Sequence, residues 1–474
     1  MLTLADALEA LTNFRPIATT VITEAVIDAR QVIPGSLYVA VPDEKGDAHD
    51  FLAEAFRRGA SFALIQRDVN GSFRTLDLRA VSSMEALPRE DLVPPLCLRV
   101  DNTIAALQQI ARYWRRKLEL RVVGITGSVG KSTTKELVAE VLSTRYRTLK
   151  SPGNLSNEIG LPLTMLRLSS GYQYAVFEMG FYVPGEIAFL CDIALPQIGV
   201  VTNVGTVHAE RAGSQEAIAR GKAELVQALP QAPEGVAILN FDDPWVRQME
   251  EKTKARIFFY GLSREANLWA DHVTGLGLEG IRFRLHYQGE TLHVRIPLIG
   301  RHSVHTALRA AAVGLMEGLN WQEILEGLNQ GHTQLRLAAV RSQTGALLLD
   351  DTYSASPESM LAALTLLDEL EGHKVAVLGD MLELGPYERG GHEMVGLRTA
   401  QVANLLLTLG ERAHLIAEAA RRAGMKKSAI LEFDEFEPLM EWLKANLAKE
   451  DVVLIKGSQG LRMDRITSLL EARS

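Results

Sequence analysis

The residues best suited to chemistry lie in one glycine-rich segment, Gly124-Ile-Thr-Gly-Ser-Val-Gly-Lys-Ser-Thr-Thr-Lys135. Gly127 and Gly130 lack a Cβ, so the backbone N–H groups beside them can turn toward an anion. Lys131 supplies a positive charge for β- and γ-phosphates, and the Ser132 hydroxyl is a suitable ligand for Mg²⁺. An apolar stretch enters this segment and a helical pattern leaves it. The segment therefore predicts a phosphate-binding loop at a helix N-terminus.

The spacing of this loop departs from the plain G-x-x-x-x-G-K-[ST] pattern, because Ile125 stands where the first glycine would be. This favours a class other than the ordinary P-loop GTPases and motor ATPases. A glycine-rich turn without a ligand is the alternative. It is disfavoured because the apolar stretch, the glycines, the Lys-Ser pair and the helical pattern coincide.

Two polar residues follow the next apolar stretches. Glu178 ends YAVFE, and His208 follows VVTNVGTV. In an open parallel sheet the carboxyl ends of the strands converge on the ligand crevice. A carboxylate and an imidazole at that edge could hold or tune a metal beside a nucleotide. For His208, an ordinary surface histidine is an equally weighted alternative.

The elements that must position these residues indicate an α/β protein with three domains. Short β-rich stretches predict a small α/β domain over residues 1–104. Longer continuous apolar runs predict a doubly wound parallel sheet in a P-loop ATPase-like domain over 105–330. A second set of continuous apolar runs predicts a Rossmann-like α/β domain over 331–474. The predicted strands of the three domains are Ser36–Val41, Ser61–Gln66 and Leu96–Val100, then Arg121–Thr126, Tyr174–Glu178, Ile198–Asn203 and Val236–Asn240, then Leu347–Asp350, Lys374–Leu378, Asn404–Leu409 and Asp451–Ile455.

Three predicted helices and one predicted hairpin complete this fold. Helical periodicity covers Leu52–Arg58, Thr103–Leu118 and Ser359–Leu370. The stretch Trp269–Pro297 alternates apolar and polar residues, which predicts an antiparallel hairpin appended to the central sheet.

Composition narrows the class of function. The chain has 474 residues, 47% of them hydrophobic, which suits about three domains at roughly 150 residues each. A net charge of −8 argues against general nucleic-acid binding. Two cysteines are too few for a disulfide framework. We find no secretory leader pattern and no apolar run long enough for membrane insertion, so a cytoplasmic location is expected.

Several further segments resemble the Mur ligase family. They are GITGSVGKSTTKE (Gly124–Glu136), GNLSNEIGLPLT (Gly153–Thr164), FEMG with GEI (Phe177–Ile187), TNVGTVHAERAGS (Thr202–Ser214), GRHSVHTAL (Gly300–Leu308), DDTYSASPESM (Asp350–Met360), VLGDMLELG (Val377–Gly385) and KGS (Lys456–Ser458). The resemblance implies an ATP-dependent amide ligase. A substrate carboxylate attacks the γ-phosphate to give an acyl phosphate and ADP, and an amine then displaces phosphate.

The resemblance also implies roles for individual residues. The implied catalytic residues are Lys131, Glu178, His208, Lys222 and Arg336. Two Mg²⁺ sites are implied, with ligands Ser132, Glu178, His208 and Lys222, and Lys222 is carbamoylated in the family. The implied nucleotide-binding residues are Thr126, Gly127, Ser128, Gly130, Lys131, Ser132, Thr133, Asn157, Arg336 and Asp351. From the residues alone, Lys222 in IARGKAEL is a solvated helix lysine.

Within the family, the segments are most similar to members that add D-alanyl-D-alanine to a UDP-linked muramoyl tripeptide. The three predicted domains would then bind the UDP-sugar, the ATP and the incoming dipeptide, in chain order, in a monomer. A family member that joins another acid and amine is an alternative. A nucleotide-binding protein without ligase activity is a second.

Some residues depart from the family pattern. Ser303 and Thr306 stand where asparagines meet the adenine end of ATP, and other departures are Ala29, Ala48, Ser156, Ser354 and Ser356. An amide both donates and accepts hydrogen bonds. We therefore expect the loss of two amides to cost about 1–3 kcal/mol in nucleotide binding. Ala29 and Ala48 lie in segments that resemble the sugar-binding part of the family, and so bear on which acid and amine are used.

Overall fold

The computed structural model describes residues 1–43, 46–69, 73–81, 83, 92–330 and 338–472. Arg336 therefore lies outside the described residues. The chain falls into two compact units. The first comprises Met1–Gly124, Tyr146–Gly180 and Glu186–Ile198, and the second comprises Ile125–Arg145, Phe181–Gly185 and Gly199–Ser474.

The strands and helices alternate along most of the chain. The strands are β1 Ala25–Val26, β2 Leu37–Val39, β3 Pro42–Asp43, β4 Gly46–Asp47, β5 Phe62–Ile65, β6 Thr75–Asp77, β7 Leu96–Arg99, β8 Arg121–Thr126, β9 Thr148–Lys150, β10 Tyr174–Glu178, β11 Ile198–Val201, β12 Val236–Asn240, β13 Arg256–Gly261, β14 Leu268–Gly275, β15 Ile281–Tyr287, β16 Glu290–Ile296, β17 Ala338–Arg341, β18 Leu347–Asp350, β19 His373–Gly379, β20 Leu405–Leu409, β21 Ile430–Phe433 and β22 Asp451–Lys456. The α-helices are α1 Leu4–Thr12, α2 Leu52–Arg57, α3 Thr103–Lys117, α4 Lys131–Ser143, α5 Gly160–Met165, α6 Glu186–Ala194, α7 Ala209–Ala212, α8 Gln215–Gln227, α9 Pro244–Arg247, α10 Ser303–Met316, α11 Trp321–Asn329, α12 Pro357–Glu369, α13 Glu388–Val402, α14 His414–Arg422, α15 Phe436–Asn446 and α16 Asp464–Leu470.

Each of the three predicted domains contains one large sheet. In the first unit, a five-stranded parallel sheet has the order β1-β2-β5-β7-β6. The largest sheet has nine strands, and its second-unit part runs β16-β15-β14-β13-β12-β11. A six-stranded sheet in the second unit runs β17-β18-β22-β19-β20-β21, with only β17 antiparallel. These sheets confirm the α/β class, whereas the exact domain boundaries stay a prediction.

The continuous apolar runs form buried strands, as predicted. β8, β10, β12 and β18 have the predicted bounds residue for residue. In β8 the side chains of Val122, Val123 and Ile125 are fully buried, because such strands are covered on both faces. The alternating stretch 269–297 is antiparallel and joined to the central sheet as predicted, but it forms three strands, β14, β15 and β16, where a hairpin has two. None of the helices in the described ranges is long and apolar enough to span a membrane.

Five predicted strands, β2, β5, β7, β11 and β20, are shorter than expected, and β11 is the one that bears on the site. The run from Ile198 was predicted to continue to Asn203, but β11 ends at Val201. Thr202 and Asn203 leave the strand because their side chains hydrogen-bond the backbone of Val129. The end of β11 therefore supports the predicted phosphate loop.

Candidate active site

The predicted phosphate loop has the geometry that its glycines require. β8 ends at Thr126, and α4 begins at Lys131. Gly127 has φ +146°, and a Cβ there would overlap the side chain of Thr202. Gly130 has φ +84°, a left-handed conformation that non-glycine residues rarely adopt, directly before α4. The two glycines singled out by their spacing are thus the two that the turn needs.

The segment after β11 holds the loop in shape. Thr202 Oγ1 donates to the carbonyl of Val129 at 2.7 Å. The Asn203 side chain accepts from the Val129 N–H at 2.9 Å and donates to its carbonyl at 3.0 Å. The Gly205 N–H donates to Ser128 Oγ at 2.8 Å. Sequence reasoning assigned no role to Thr202 or Asn203, although their place directly after a strand next to a phosphate loop is a usable signal.

The cationic side chain of the loop lies inside it. Lys131 Nζ donates to the carbonyls of Gly127 at 2.8 Å and Ser128 at 3.3 Å. Ser132 is buried in the first turn of α4, and Thr133 follows it half-buried. The loop therefore combines a lysine charge, a hydroxyl and a helix N-terminus, which is the set expected for phosphates.

A cavity of about 390 Å³ lies beside this loop. Its lining includes Gly130 and Thr133 of the loop and helix, and Asp351 of the 331–474 region. These three belong to the predicted nucleotide-binding set. The cavity is thus large enough for a nucleoside and continuous with the loop that is suited to phosphates.

Basic side chains and two carboxylates, Asp351 and Glu358, line this cavity. Burial lowers the pKa of His302 to about 4, and the neighbouring basic groups Arg309 and Lys456 act in the same direction. His302 lines the cavity and keeps part of its surface exposed to solvent. Lys456 is paired with Asp351 and His305 with Asp242, whereas no carboxylate among the described residues pairs with Arg309. Arg309 is therefore the lining group through which the cavity favours an anion.

The hydroxyls that depart from the family pattern are engaged by the protein itself. Ser303 Oγ donates to the carbonyl of Ile299 at 2.7 Å. Thr306 Oγ1 accepts from Arg309 at 2.9 Å. Asp351 Oδ2 accepts from Lys456 Nζ at 2.7 Å. The first two side chains therefore line the cavity without depending on a ligand for a hydrogen bond.

His208 is held by a carboxylate from a distant part of the chain. Its Nδ1 lies 2.7 Å from Glu383 Oε2, which fixes the proton on Nδ1 and leaves Nε2 as the lone-pair nitrogen. The ring packs edge-on against Tyr182, with centroids 4.7 Å apart. Burial lowers the pKa of His208, and Lys131 and Lys222 add to that effect while Glu383 opposes it. Glu383 lies in the VLGDMLELG segment, but the sequence pattern predicted no role for this residue.

Lys222 is not the solvated helix lysine that the residues alone predict. It lies on α8 with 1% of its surface exposed, and Nζ is 4.9 Å from the centre of the Phe181 ring. Burial and the charge of Lys131 hold the pKa of Lys222 well below its ordinary 10.5. The helical pattern alone could not reveal this, because Gly221 beside it lets the Phe181 ring approach the helix.

Two predicted site residues belong to the first unit. Glu178 ends β10, is 3% exposed, and its N–H donates to Ser151 Oγ at 3.2 Å. Asn157 is exposed, and its side-chain oxygen accepts from the Gly160 N–H at 2.8 Å at the start of α5. In this structure Asn157 thus stabilises a helix start.

No group of three or more His, Cys, Asp or Glu side chains converges within the described part of the chain as a metal site would require. The predicted ligand set contains only two residues of these types, Glu178 and His208. Its other members are a serine and a lysine. A protonated lysine has no lone pair for a metal, whereas a carbamate formed on its neutral amine is an anionic oxygen donor. The buried, weakly basic amine of Lys222 fits that chemistry, because only an unprotonated amine attacks CO₂.

Comparison with known proteins identifies the family. The model of the Mur ligase middle domain matches residues 125–314, and that of the Mur ligase glutamate ligase domain matches residues 335–459. The chain belongs to the Mur ligase family. It is 34% identical to the UDP-N-acetylmuramoyl-tripeptide–D-alanyl-D-alanine ligase of Bacillus subtilis, over 94% of this chain and 93% of that one. The ligase of the same name from Escherichia coli is also 34% identical, over 94% and 92%.

Solved structures agree over the whole length. MurF from Acinetobacter baumannii superposes with a TM-score of 0.83 at 28% identity, covering 98% of each chain. MurF from Thermotoga maritima in complex with ADP gives a TM-score of 0.75 at 27% identity, covering 97% of each chain. The fold class predicted from the sequence is thereby confirmed, as is the family resemblance.

Proposed function

We propose that this protein joins D-alanyl-D-alanine to UDP-N-acetylmuramoyl-tripeptide at the expense of ATP. The observation that carries the proposal is the phosphate loop, held in shape by Thr202 and Asn203, beside a cavity that Arg309 lines. It lies in a chain that matches ligases of that name over 94% of its length. ADP-bound T. maritima MurF supports a nucleotide as the occupant of such a site.

The chemistry demands that two anions meet. A carboxylate oxygen of the tripeptide attacks the γ-phosphorus, and the bond from that phosphorus to the β-phosphate oxygen breaks, giving an acyl phosphate and ADP. The dipeptide amine then attacks the acyl carbon and loses a proton, and phosphate leaves. Lys131 and the N–H groups of the loop offset the negative charge of the phosphates. We assign the same task to Arg336, and contact with the ribose to Asp351.

The proposed metal ligands are Ser132, Glu178, His208 and carbamoylated Lys222. Mg²⁺ bound by them would neutralise phosphate charge and orient the γ-phosphate. The nitrogen of Lys222 attacks CO₂ and loses one proton, which leaves an anionic carbamate. The low pKa of buried Lys222 supplies the unprotonated amine for this step. Glu383 holds His208 with Nε2 available for coordination.

The remaining assignments follow from the same proposal. Residues 1–104 would bind the UDP-sugar, 105–330 the ATP and 331–474 the dipeptide. The nucleotide would contact the loop from Thr126 to Thr133. We propose that the protein acts as a monomer in the cytoplasm, where nucleotide-linked precursors are made.

The test measures ADP release with Mg-ATP, UDP-muramoyl-tripeptide and D-alanyl-D-alanine, omitting each in turn. We expect turnover only when all three are present. Binding of ATP without turnover on these substrates, but with turnover on another acid and amine, would replace the substrates and keep the chemistry. Failure of the protein to bind ADP at all would reject the proposal.

A further inference from the structure

Arg309 is a buried cation that the described residues provide with no anionic partner. It lies on α10 with 4% of its surface exposed. Its Nε donates to the carbonyl of His305 at 3.0 Å, and Nη2 donates to Thr306 Oγ1 at 2.9 Å. The guanidinium lies over the Tyr260 ring, 5.7 Å from its centre, and also interacts with the Tyr260 hydroxyl. Across the described residues, no carboxylate forms an ion pair with it.

A second buried arginine shows how a purely structural guanidinium is accommodated. Arg115 on α3 is also 4% exposed. It donates to four backbone carbonyls, at 2.7 to 3.3 Å, those of Leu118, Leu120, Ala194 and Leu195. The N–H groups of Arg115 are thus bonded to backbone carbonyls. Arg309 has fewer oxygen acceptors, one carbonyl and two hydroxyls, and it lines a cavity. A buried charge with few acceptors is costly, which indicates that the site is completed by something else.

The position of Arg309 indicates what completes it. A Cβ built on Gly130 would lie 3.5 Å from both Nη1 and Nη2 of Arg309. Gly130 directly precedes Lys131, so the terminal nitrogens of the guanidinium lie beside the phosphate loop. The planar fork of an arginine matches the oxygens of a phosphate. Lys456 and His302 also line this cavity, but Lys456 is already bonded to Asp351.

We propose that Arg309 binds the phosphates of the nucleotide as a second cation beside Lys131. This inference rests on the proposed binding of a nucleotide at this loop. It assigns the α10 residue a binding role that the phosphate-loop pattern does not contain. It also gives a role to the hydrogen bond that Thr306 Oγ1 accepts from Arg309, because this bond holds the guanidinium in one orientation.

The test compares Arg309→Gln, Arg309→Lys and Arg115→Gln with the wild type. Two quantities are measured on the full chain: the affinity for ADP, by calorimetry, and the melting temperature without nucleotide. We expect Arg309→Gln to weaken ADP binding about tenfold or more, as loss of a charge-assisted contact would. Its melting temperature should stay equal to that of the wild type or rise, since an unpaired buried charge is removed. Arg309→Lys, which keeps the charge, should retain most of the ADP affinity.

Arg115→Gln is the matched control and should do the reverse, lowering the melting temperature while ADP affinity per folded molecule is kept. The proposal is overturned if Arg309→Gln binds ADP as well as the wild type does. It is also overturned if both Arg309 variants lose affinity together with a fall in melting temperature, because that pattern means a structural role. Absence of ADP binding by the wild type would instead reject the proposed function itself.

Discussion

Lys222 and Lys456 are equally buried, each with 1% of its surface exposed, yet their surroundings are opposite. Lys456 at the end of β22 donates to Asp351 Oδ2 at 2.7 Å and to the carbonyl of Ser354 at 2.8 Å. Lys222 on α8 faces the ring of Phe181, and the described residues give it no hydrogen-bond acceptor. The difference teaches that burial alone does not define a role. Internal partners make Lys456 a cross-link, and their lack makes Lys222 a candidate for chemistry.

The largest expected effect is on catalysis at Lys222. Lys222→Ala should lower ADP release in the full reaction on the order of 10²–10³-fold, because the carbamate that helps to hold the metal is lost. Adding a short carboxylic acid should restore part of the activity, since its carboxylate can occupy the same place. Activity equal to the wild type without any added acid would remove Lys222 from the mechanism and break the contrast with Lys456.

The same substitution at both lysines should change stability in opposite directions. Lys456→Met should lower the free energy of unfolding by about 3–5 kcal/mol, because Asp351 loses its buried partner. Lys222→Met should raise it near neutral pH in CO₂-free buffer, because the wild type must give up the lysine proton or bury it on folding and the methionine variant does neither. Urea unfolding of the unliganded variants measures both. Equal losses at the two positions would contradict the distinction drawn here.

The gain from Lys222→Met should depend on pH. The folded pKa of Lys222 lies well below the ordinary 10.5, so between the two values the unfolded chain binds more protons than the folded chain. The free energy of unfolding of the wild type therefore rises with pH across that window. The advantage of the methionine variant should shrink as pH approaches 10.5. A constant gap over this range would mean that Lys222 keeps its proton on folding.

A smaller effect is expected at Glu383, which partners His208 as Asp351 partners Lys456. Glu383→Gln should lower the rate of ADP release about 10- to 100-fold, since a neutral amide fixes the imidazole tautomer less firmly. Glu388→Gln is a suitable control, because Glu388 pairs with exposed Arg412 instead. The ¹⁵N shifts of the His208 ring should show loss of the single tautomer in Glu383→Gln. If the His208 tautomer is unchanged in Glu383→Gln, Glu383 does not position the ring, and its packing against Tyr182 is left to do so.

The smallest effect is expected at Ser303. Its hydroxyl is bonded to the carbonyl of Ile299, as the ammonium of Lys456 is bonded to its neighbours. Ser303→Ala should therefore change the affinity for ADP less than about twofold, in contrast to the loss expected for Arg309→Gln. A tenfold loss on calorimetry would mean that the hydroxyl turns to the nucleotide.

Local sequence patterns were enough to predict the phosphate loop and several buried strands. The phosphate loop is readable because all of its elements lie within twelve consecutive positions, 124–135, where backbone sterics dictate what glycine and the helix start must do. The strands β8, β10 and β12 are readable because covered parallel strands must be apolar throughout. Short or half-polar strands such as β9 and β13 were not assigned, because they are defined by their neighbours in the sheet.

The sequence by itself determined the α/β class, the loop at Gly127 to Ser132 and the family, because those depend on local conformation and on motifs that survive in order along the chain. Tertiary structure decided that Lys222 is buried, that Glu383 meets His208 across 175 positions, and that Arg309 lies beside the loop. The reason is physical. Hydrogen bonding, burial and charge pairing are properties of the space around a side chain, and that space is filled by segments far away in the sequence.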